Sequence, residues 1–98
     1  MITVLVVDEM NNPVSGLNTI VKDESGKTFE FLHDPFFFPG YYTVMDDNYT
    51  REFSPIPKLI LFTGIKDSLS VSADFFINTD DCHCHIEKVS GPDTLVLR

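Results

Sequence analysis

Tryptophan is absent from this 98-residue chain, basic residues are scarce and only two cysteines are present. Seven Lys and Arg stand against fifteen Asp and Glu, which gives a formal net charge of −8. Nucleic-acid binding is not expected, because such proteins need basic side chains to neutralise phosphates. No apolar run approaches the roughly 20 residues of a membrane-spanning helix, so we also expect no membrane insertion.

The first residues contain no basic segment and no small-residue cleavage site, so we do not expect them to form a signal peptide. We therefore expect either a cytoplasmic protein or a domain of an envelope or secreted protein. The length allows one domain, residues 1–98, and the apolar share of 43% is ordinary for a folded chain. No motif for a cofactor is recognisable.

Turn-forming residues recur about every eight to twelve positions, a spacing typical of β-sandwiches. Residues 68–77 alternate most clearly between apolar and polar side chains, which predicts a strand with one buried face. Strands are predicted at 2–8, 17–23, 27–33, 41–45, 58–63, 68–77, 82–89 and 94–97, with a weaker one at 49–53. No helical periodicity persists for two turns. The pattern predicts an all-β fold, an antiparallel sandwich of seven to eight strands.

Two local patterns carry a family resemblance. The first strand ends in Asp8 and is followed by Pro-Val-Ser-Gly-Leu at residues 13–17, and Pro-Gly-Tyr-Tyr-Thr-Val follows at 39–44. This order, with Gly26 in a hairpin between the two, resembles the carboxypeptidase regulatory-like domains over residues 2–45. The resemblance implies a transthyretin-like (prealbumin-like) sandwich with an immunoglobulin-like Greek key. It also implies a non-catalytic accessory or binding module.

The same fold includes an enzyme branch, the hydroxyisourate hydrolases, which close with a Tyr-Arg-Gly-Ser motif. This chain instead ends in Thr-Leu-Val-Leu-Arg at residues 94–98, and Arg51 is its one other arginine. No nucleophile-elbow motif such as Gly-x-Ser-x-Gly is present either. We therefore expect that the protein is not an enzyme.

The segment Cys-His-Cys-His is the chemically richest part of the chain. On a regular strand Cys82 and Cys84 would share one face with Ile86, and cysteine is among the most often buried residues. Core packing of both thiols is therefore the first expectation. A disulfide or redox pair is the alternative, and it would require a kinked backbone because extended residues at this spacing lie near the upper limit of Cα separation for a disulfide.

A metal site is a further hypothesis for this segment. His83, His85 and Glu87 would share the solvent face of the strand, and two histidines at this spacing can hold one divalent ion. Either Glu87 or Asp81 would then supply a third ligand. The acidic turns at residues 46–48 and 80–81 could likewise offer oxygen ligands to calcium, although neither matches a full calcium-loop pattern.

Three consecutive phenylalanines, Phe36, Phe37 and Phe38, cannot all face inward from a regular strand. Either they plug one end of the sandwich, or they form an exposed contact patch with Tyr41. The leading hypothesis for function is a binding module that contacts protein or carbohydrate. The alternatives are a small metal-binding protein using His83 and His85, and a homo-oligomer that associates through an edge strand or the Phe segment.

Overall fold

The computed structural model describes residues 1–31 and 39–98, which form eight β-strands and one 3₁₀ helix. The helix, η1, spans Asp47–Glu52 and lies between the fourth and fifth strands. The strands are β1 (Ile2–Val7), β2 (Asn18–Asp23), β3 (Thr28–Phe29), β4 (Tyr41–Met45), β5 (Lys58–Lys66), β6 (Leu69–Thr79), β7 (Ile86–Ser90) and β8 (Thr94–Val96).

Five of the strands form an antiparallel sheet in the order β3-β2-β5-β6-β7. Its centre is the β5–β6 hairpin, whose register places Lys66 opposite Leu69 at the turn. Asp67 closes this turn in the left-handed region, at φ 54°, which aspartate tolerates better than most residues. The predicted alternation in β6 is confirmed, since Phe75 and Ile77 on its inner face are fully buried.

The second sheet has three strands in the order β4-β1-β8. β1 pairs antiparallel with β4 but parallel with β8. The prediction of a wholly antiparallel sandwich is therefore wrong at this pair. After β7, which belongs to the five-stranded sheet, the chain does not fold back as a hairpin. It crosses to the other sheet, where β8 runs beside β1 in the same direction.

One hydrophobic core lies between the sheets. Its fully buried side chains come from both sheets, and the largest of them are Phe62, Phe75, Met45, Ile60, Ile77, Val4, Val6 and Val44. The rings of Phe62 and Phe75 meet edge to face, with centroids 6.5 Å apart. A mostly β chain with two sheets around a shared core is the arrangement of an all-β sandwich, as predicted.

The weak strand predicted at 49–53 is wrong, because residues 49–52 belong to η1 and Phe53 is the residue that caps its end. Asp46 precedes the helix, and its side chain accepts a hydrogen bond from the Asn48 N–H at 3.0 Å. Such capping satisfies a backbone group that a helix leaves unpaired at its start, and it favours the helical turn over an extended strand. The ring of Tyr49 packs edge-on against the ring of Phe29, with the two centroids 5.1 Å apart.

Two other predicted strands are shorter than expected. Of residues 27–33, the described part contributes only the two residues of β3. The strand predicted at 82–89 begins only at Ile86, because residues 80–85 form a loop. No helix in the described ranges is long and apolar enough to cross a membrane.

Candidate functional site

The Cys-His loop, residues 80–85, connects β6 to β7 and is organised by Asp80. Its carboxylate Oδ1 accepts a hydrogen bond from the Cys84 N–H at 2.8 Å, and its carbonyl accepts one from the His83 N–H at 3.1 Å. At the base of the loop, Thr79 Oγ1 donates to the His85 carbonyl at 2.6 Å. These bonds close a tight turn where the sequence pattern predicts a continuous strand.

Cys82 and Cys84 are joined by a disulfide within this loop, with their Cα atoms 5.3 Å apart. Both residues are exposed, so the expectation that the two thiols pack in the core is wrong. His83 between them has φ 57°, in the left-handed region, and this kink breaks the strand alternation that would have turned both cysteines inward. The disulfide, the alternative prediction for this segment, is the arrangement that the structure contains.

The Cys-His loop lies against helix η1. His83 Nδ1 is 3.3 Å from the Thr50 carbonyl oxygen, and the Ile86 N–H donates to Asp47 Oδ1 at 3.3 Å. Beside the loop is an open hollow of about 390 Å³ lined by Arg51, Cys82 and His83. The hollow is therefore lined by an arginine and a histidine together with one cysteine of the disulfide.

The predicted metal ligands His83, His85 and Glu87 are all exposed. In residues 1–31 and 39–98, the structure assembles a different set of potential ligands. The ligand atoms of Asp80, Cys82 and Cys84 all lie within 4.8 Å of one another. The two sulfurs are close because they are bonded to each other, and the turn places the Asp80 carboxylate beside them. Neither histidine belongs to the group.

The acidic turn at residues 46–48 uses its carboxylates within the protein. Asp46 caps η1, and Asp47 accepts from Ile86 through Oδ1 while its Oδ2 lies 3.6 Å from the N-terminal amine. Both groups therefore have structural partners, which is the usual role of acidic side chains in turns.

Asp23 is the one aspartate of the described chain that is buried. Its Oδ1 accepts from Ser25 Oγ at 2.6 Å and from the backbone N–H groups of Ser25 and Lys27. The Ser25 hydroxyl contributes most to lowering the pKa of Asp23, the backbone donors and Lys58 add to it, and burial opposes it. Lys58 Nζ lies 3.6 Å from Oδ2. These contacts hold the β2–β3 turn, so Asp23 has a structural role.

The predicted aromatic contact patch lies largely outside the described residues, since Phe36, Phe37 and Phe38 fall in the gap at 32–38. Tyr41, the fourth member, begins β4 opposite Leu5 and is 40% exposed. The next tyrosine is structural, because its hydroxyl bridges two backbone groups of the segment between β1 and β2. Tyr42 donates to the Val14 carbonyl at 2.7 Å and accepts from the Leu17 N–H at 3.2 Å.

The outer face of the five-stranded sheet carries apolar side chains that no sequence pattern predicted as a site. We call them the apolar stripe: Ile20, Leu59, Leu61, Ile65 and Phe76. Ile20, Phe76 and Ile65 are 47%, 41% and 38% exposed, and the two leucines are half-buried.

The strand register makes the stripe continuous. Phe76 is directly opposite Leu59, and Leu61 is the next residue of β5 on the same face. Ile20 is opposite Thr63, which places it diagonally next to Leu61 and Ile65. Diagonal neighbours in an antiparallel pair are close enough for large side chains to touch. The stripe therefore crosses β6, β5 and β2 as one surface.

Comparison with protein-family models, curated proteins and solved structures found no match to this chain. The resemblance to carboxypeptidase regulatory-like domains stays a prediction from the sequence.

Proposed function

We propose that this protein is a non-catalytic binding module that docks a partner protein on the outer face of its five-stranded sheet. The observation that supports this most strongly is the apolar stripe. Large apolar side chains that line up across three strands and remain partly exposed are typical of contact surfaces.

The surroundings of the stripe also fit a contact surface. The other outward positions in these rows are polar, namely Asn18, Lys22, Thr63, Ser70, Ser72 and Asp74. An apolar centre with a polar rim is the usual anatomy of a protein interface. In such an interface the apolar side chains are desolvated, while the polar rim stays hydrated and fixes the orientation of the partner.

The chemistry of the stripe favours a protein over a carbohydrate. Four of its five members are aliphatic, and Phe76 is its one aromatic ring. Aliphatic side chains bind other apolar side chains by excluding water, whereas sugar recognition by stacking would call for aromatic faces. Carbohydrate remains the second candidate, through the segment that contains Phe36 to Phe38 and Tyr41.

The net charge further defines the partner. At −8, the module attracts basic surfaces and repels acidic ones over about 8 Å at physiological salt. A second copy of this chain carries the same charge, so self-association through the stripe is disfavoured. The proposed partner is therefore a protein that presents apolar side chains surrounded by Lys and Arg.

The proposal keeps the transthyretin-like Greek key as the fold type. Its support is the turn chemistry of residues 2–45. Gly16 and Gly40, which occupy the glycine positions of the resembling motifs, both have positive φ, at 79° and 85°. Glycine adopts this conformation without a steric penalty.

The experiment is a binding screen with two probe sets: peptides that combine apolar residues with Lys and Arg, and a panel of glycans. We expect peptides to bind and the double variant Ile20→Thr, Phe76→Thr to lose that binding. Ile56→Thr is the matched control, because Ile56 is 77% exposed and lies outside the sheets.

Binding of glycans but not peptides would overturn the choice of partner. Peptide binding that survives the double variant but is lost in Ile56→Thr would overturn the choice of surface. Sedimentation of the protein alone tests whether a second copy of the chain covers the stripe. A dimer that the double variant breaks would mean that it does.

A further inference from the structure

The disulfide between Cys82 and Cys84 is in an unusual position for a bond whose role is to stabilise the fold. The cysteines are two residues apart, so the bond closes a very short loop. Cross-links stabilise mainly by restricting the unfolded chain, and short loops gain the least from this. Both residues are also exposed, so no core packing depends on them.

The Cys-His loop is held in place by contacts that do not involve the disulfide. Asp80 accepts hydrogen bonds from Cys84 and His83, and Thr79 fixes the His85 carbonyl. The side of the loop is anchored to η1 through the contact between His83 and Thr50. The turn can therefore keep its shape when the sulfur–sulfur bond is broken.

The disulfide is also accessible to another thiol. Cys82 lines an open hollow together with Arg51 and His83. A positively charged side chain in the same hollow favours the thiolate that leaves when a disulfide is attacked. Exposed disulfides of this kind are the ones that exchange readily with external thiols.

We propose that Cys82 and Cys84 form a reversible thiol–disulfide pair whose reduced form, together with Asp80, binds a thiophilic divalent metal ion such as Zn²⁺. In the oxidised protein the two sulfurs are bonded to each other, and a carboxylate oxygen of Asp80 lies within 4.8 Å of both. The three groups can therefore meet at one ion once the bond is reduced. Two thiolates and one carboxylate are ligands that Zn²⁺ accepts, and the fourth position stays open to water or substrate.

The reductant is a dithiol. Its first thiolate attacks one sulfur of the pair, so that a mixed disulfide forms, the Cys82–Cys84 bond breaks and the released cysteine takes up a proton. The second thiolate of the reductant displaces the other cysteine. The reductant ends as a disulfide, and the chain gains two electrons and two protons. When the metal binds, the two thiols release those protons, because thiolates are the ligands.

This site differs from the set His83, His85 and Glu87 in one measurable respect. Histidine and glutamate ligands do not depend on the redox state of the cysteines, so that set would bind metal in the oxidised protein. The proposed site exists only after reduction.

The experiment uses protein purified without a metal-affinity tag. A small dithiol such as dithiothreitol is added under native conditions, circular dichroism monitors the fold, and free thiols are counted after the dithiol is removed. Co²⁺ is then titrated anaerobically into oxidised and reduced protein, and the thiolate-to-cobalt absorption band is measured. Zn²⁺ is added last to displace it.

We expect two free thiols with an unchanged fold, and cobalt binding with a thiolate band in the reduced protein only. Asp80→Asn keeps an acceptor for the Cys84 N–H but removes the charge, and should weaken binding about tenfold or more. The double variant Cys82→Ser, Cys84→Ser should abolish the band, whereas the control pair His85→Ala, Glu87→Ala should retain it.

Three results would overturn the proposal. One is the appearance of thiols only when the chain unfolds. Another is equal metal binding by oxidised and reduced protein, and the third is loss of binding in the control pair. The serine double variant should still bind the peptides of the screen above, so failure of this proposal is distinguishable from failure of the proposed function.

Discussion

Phe76 on β6 lies directly opposite Leu59 on β5, on the face of the sheet that points away from the core. Its neighbour Phe75 points the other way, is fully buried and pairs with Ile60. Two adjacent phenylalanines thus belong to two surfaces, one structural and one available for contact. The difference follows from the period of two along a strand.

This register predicts opposite results for two neighbouring substitutions. Phe75→Ala should destabilise the protein by about 3–5 kcal/mol, as removal of a buried ring usually does. Phe76→Ala should cost about 1 kcal/mol or less, because it removes a cross-strand contact at a partly exposed site. Urea unfolding of both variants measures the difference. Equal losses would mean that the outer face is packed as tightly as the core.

Gly91, where the chain crosses from β7 toward β8, is predicted to tolerate no side chain. It has φ 138°, and a Cβ atom there would overlap the ring of Phe75. Gly91→Ala should therefore destabilise the fold by about 2–4 kcal/mol, from left-handed strain and overpacking together. Gly26→Ala is the control, since Gly26 has φ 89° and open space around it. A similar loss in both variants, measured by urea unfolding, would rule out the overlap with Phe75.

Tyr42 should stabilise the segment between β1 and β2 through its hydroxyl group. Tyr42→Phe leaves the Val14 carbonyl and the Leu17 N–H without their partner in a partly buried place. We expect a loss of about 1–3 kcal/mol in the free energy of unfolding.

Tyr49→Phe is the matched control for this prediction. The hydroxyl of Tyr49 makes two similar bonds to Glu30, but in an exposed position. Water can replace those bonds, so a smaller loss is expected. If thermal unfolding shows a larger loss of stability for Tyr49→Phe than for Tyr42→Phe, burial does not determine what removal of the hydroxyl costs.

Asp23 should make stability depend on pH in the acid range. The Ser25 hydroxyl, the backbone donors and Lys58 lower the pKa of Asp23 in the folded protein. The unfolded chain has an ordinary aspartate pKa of about 3.9. The stabilisation is therefore complete above about pH 4 and is lost as the pH falls through the lower, folded pKa.

Asp23→Asn should flatten this acid limb, and urea midpoints measured from neutral pH down to about pH 2 test it. Asp74→Asn, at an exposed position of β6, is the control and should keep the wild-type profile. An unchanged acid limb in Asp23→Asn would contradict the assignment of the pH dependence to this carboxylate.

The strands were largely predictable from the sequence because their signals are local. The alternation of apolar and polar residues predicted β6, and the turn residues on either side of β4 predicted its bounds, 41–45. The parallel pairing of β8 with β1 was not predictable in the same way. It depends on how the chain crosses between sheets, and no local pattern specifies that.

The candidate site was predicted less well, for two physical reasons. The left-handed backbone conformation of one residue, His83, reverses the face that the cysteines occupy. A glycine in the sequence would have indicated such a conformation, whereas a histidine does not. The apolar stripe depends on the register of three strands, because Ile20 and Phe76 become parts of one surface only through β5. Reading each strand alone cannot reveal such a surface.

The most direct test of the proposed binding surface is methyl NMR of the protein during titration with the tightest peptide from the screen. Methyl signals of Ile20, Leu61 and Ile65 should shift, while those of the buried Ile60 and Ile77 should stay in place. Shifts confined to residues away from the sheet, such as Ile56 or Met10, would contradict docking on the apolar stripe.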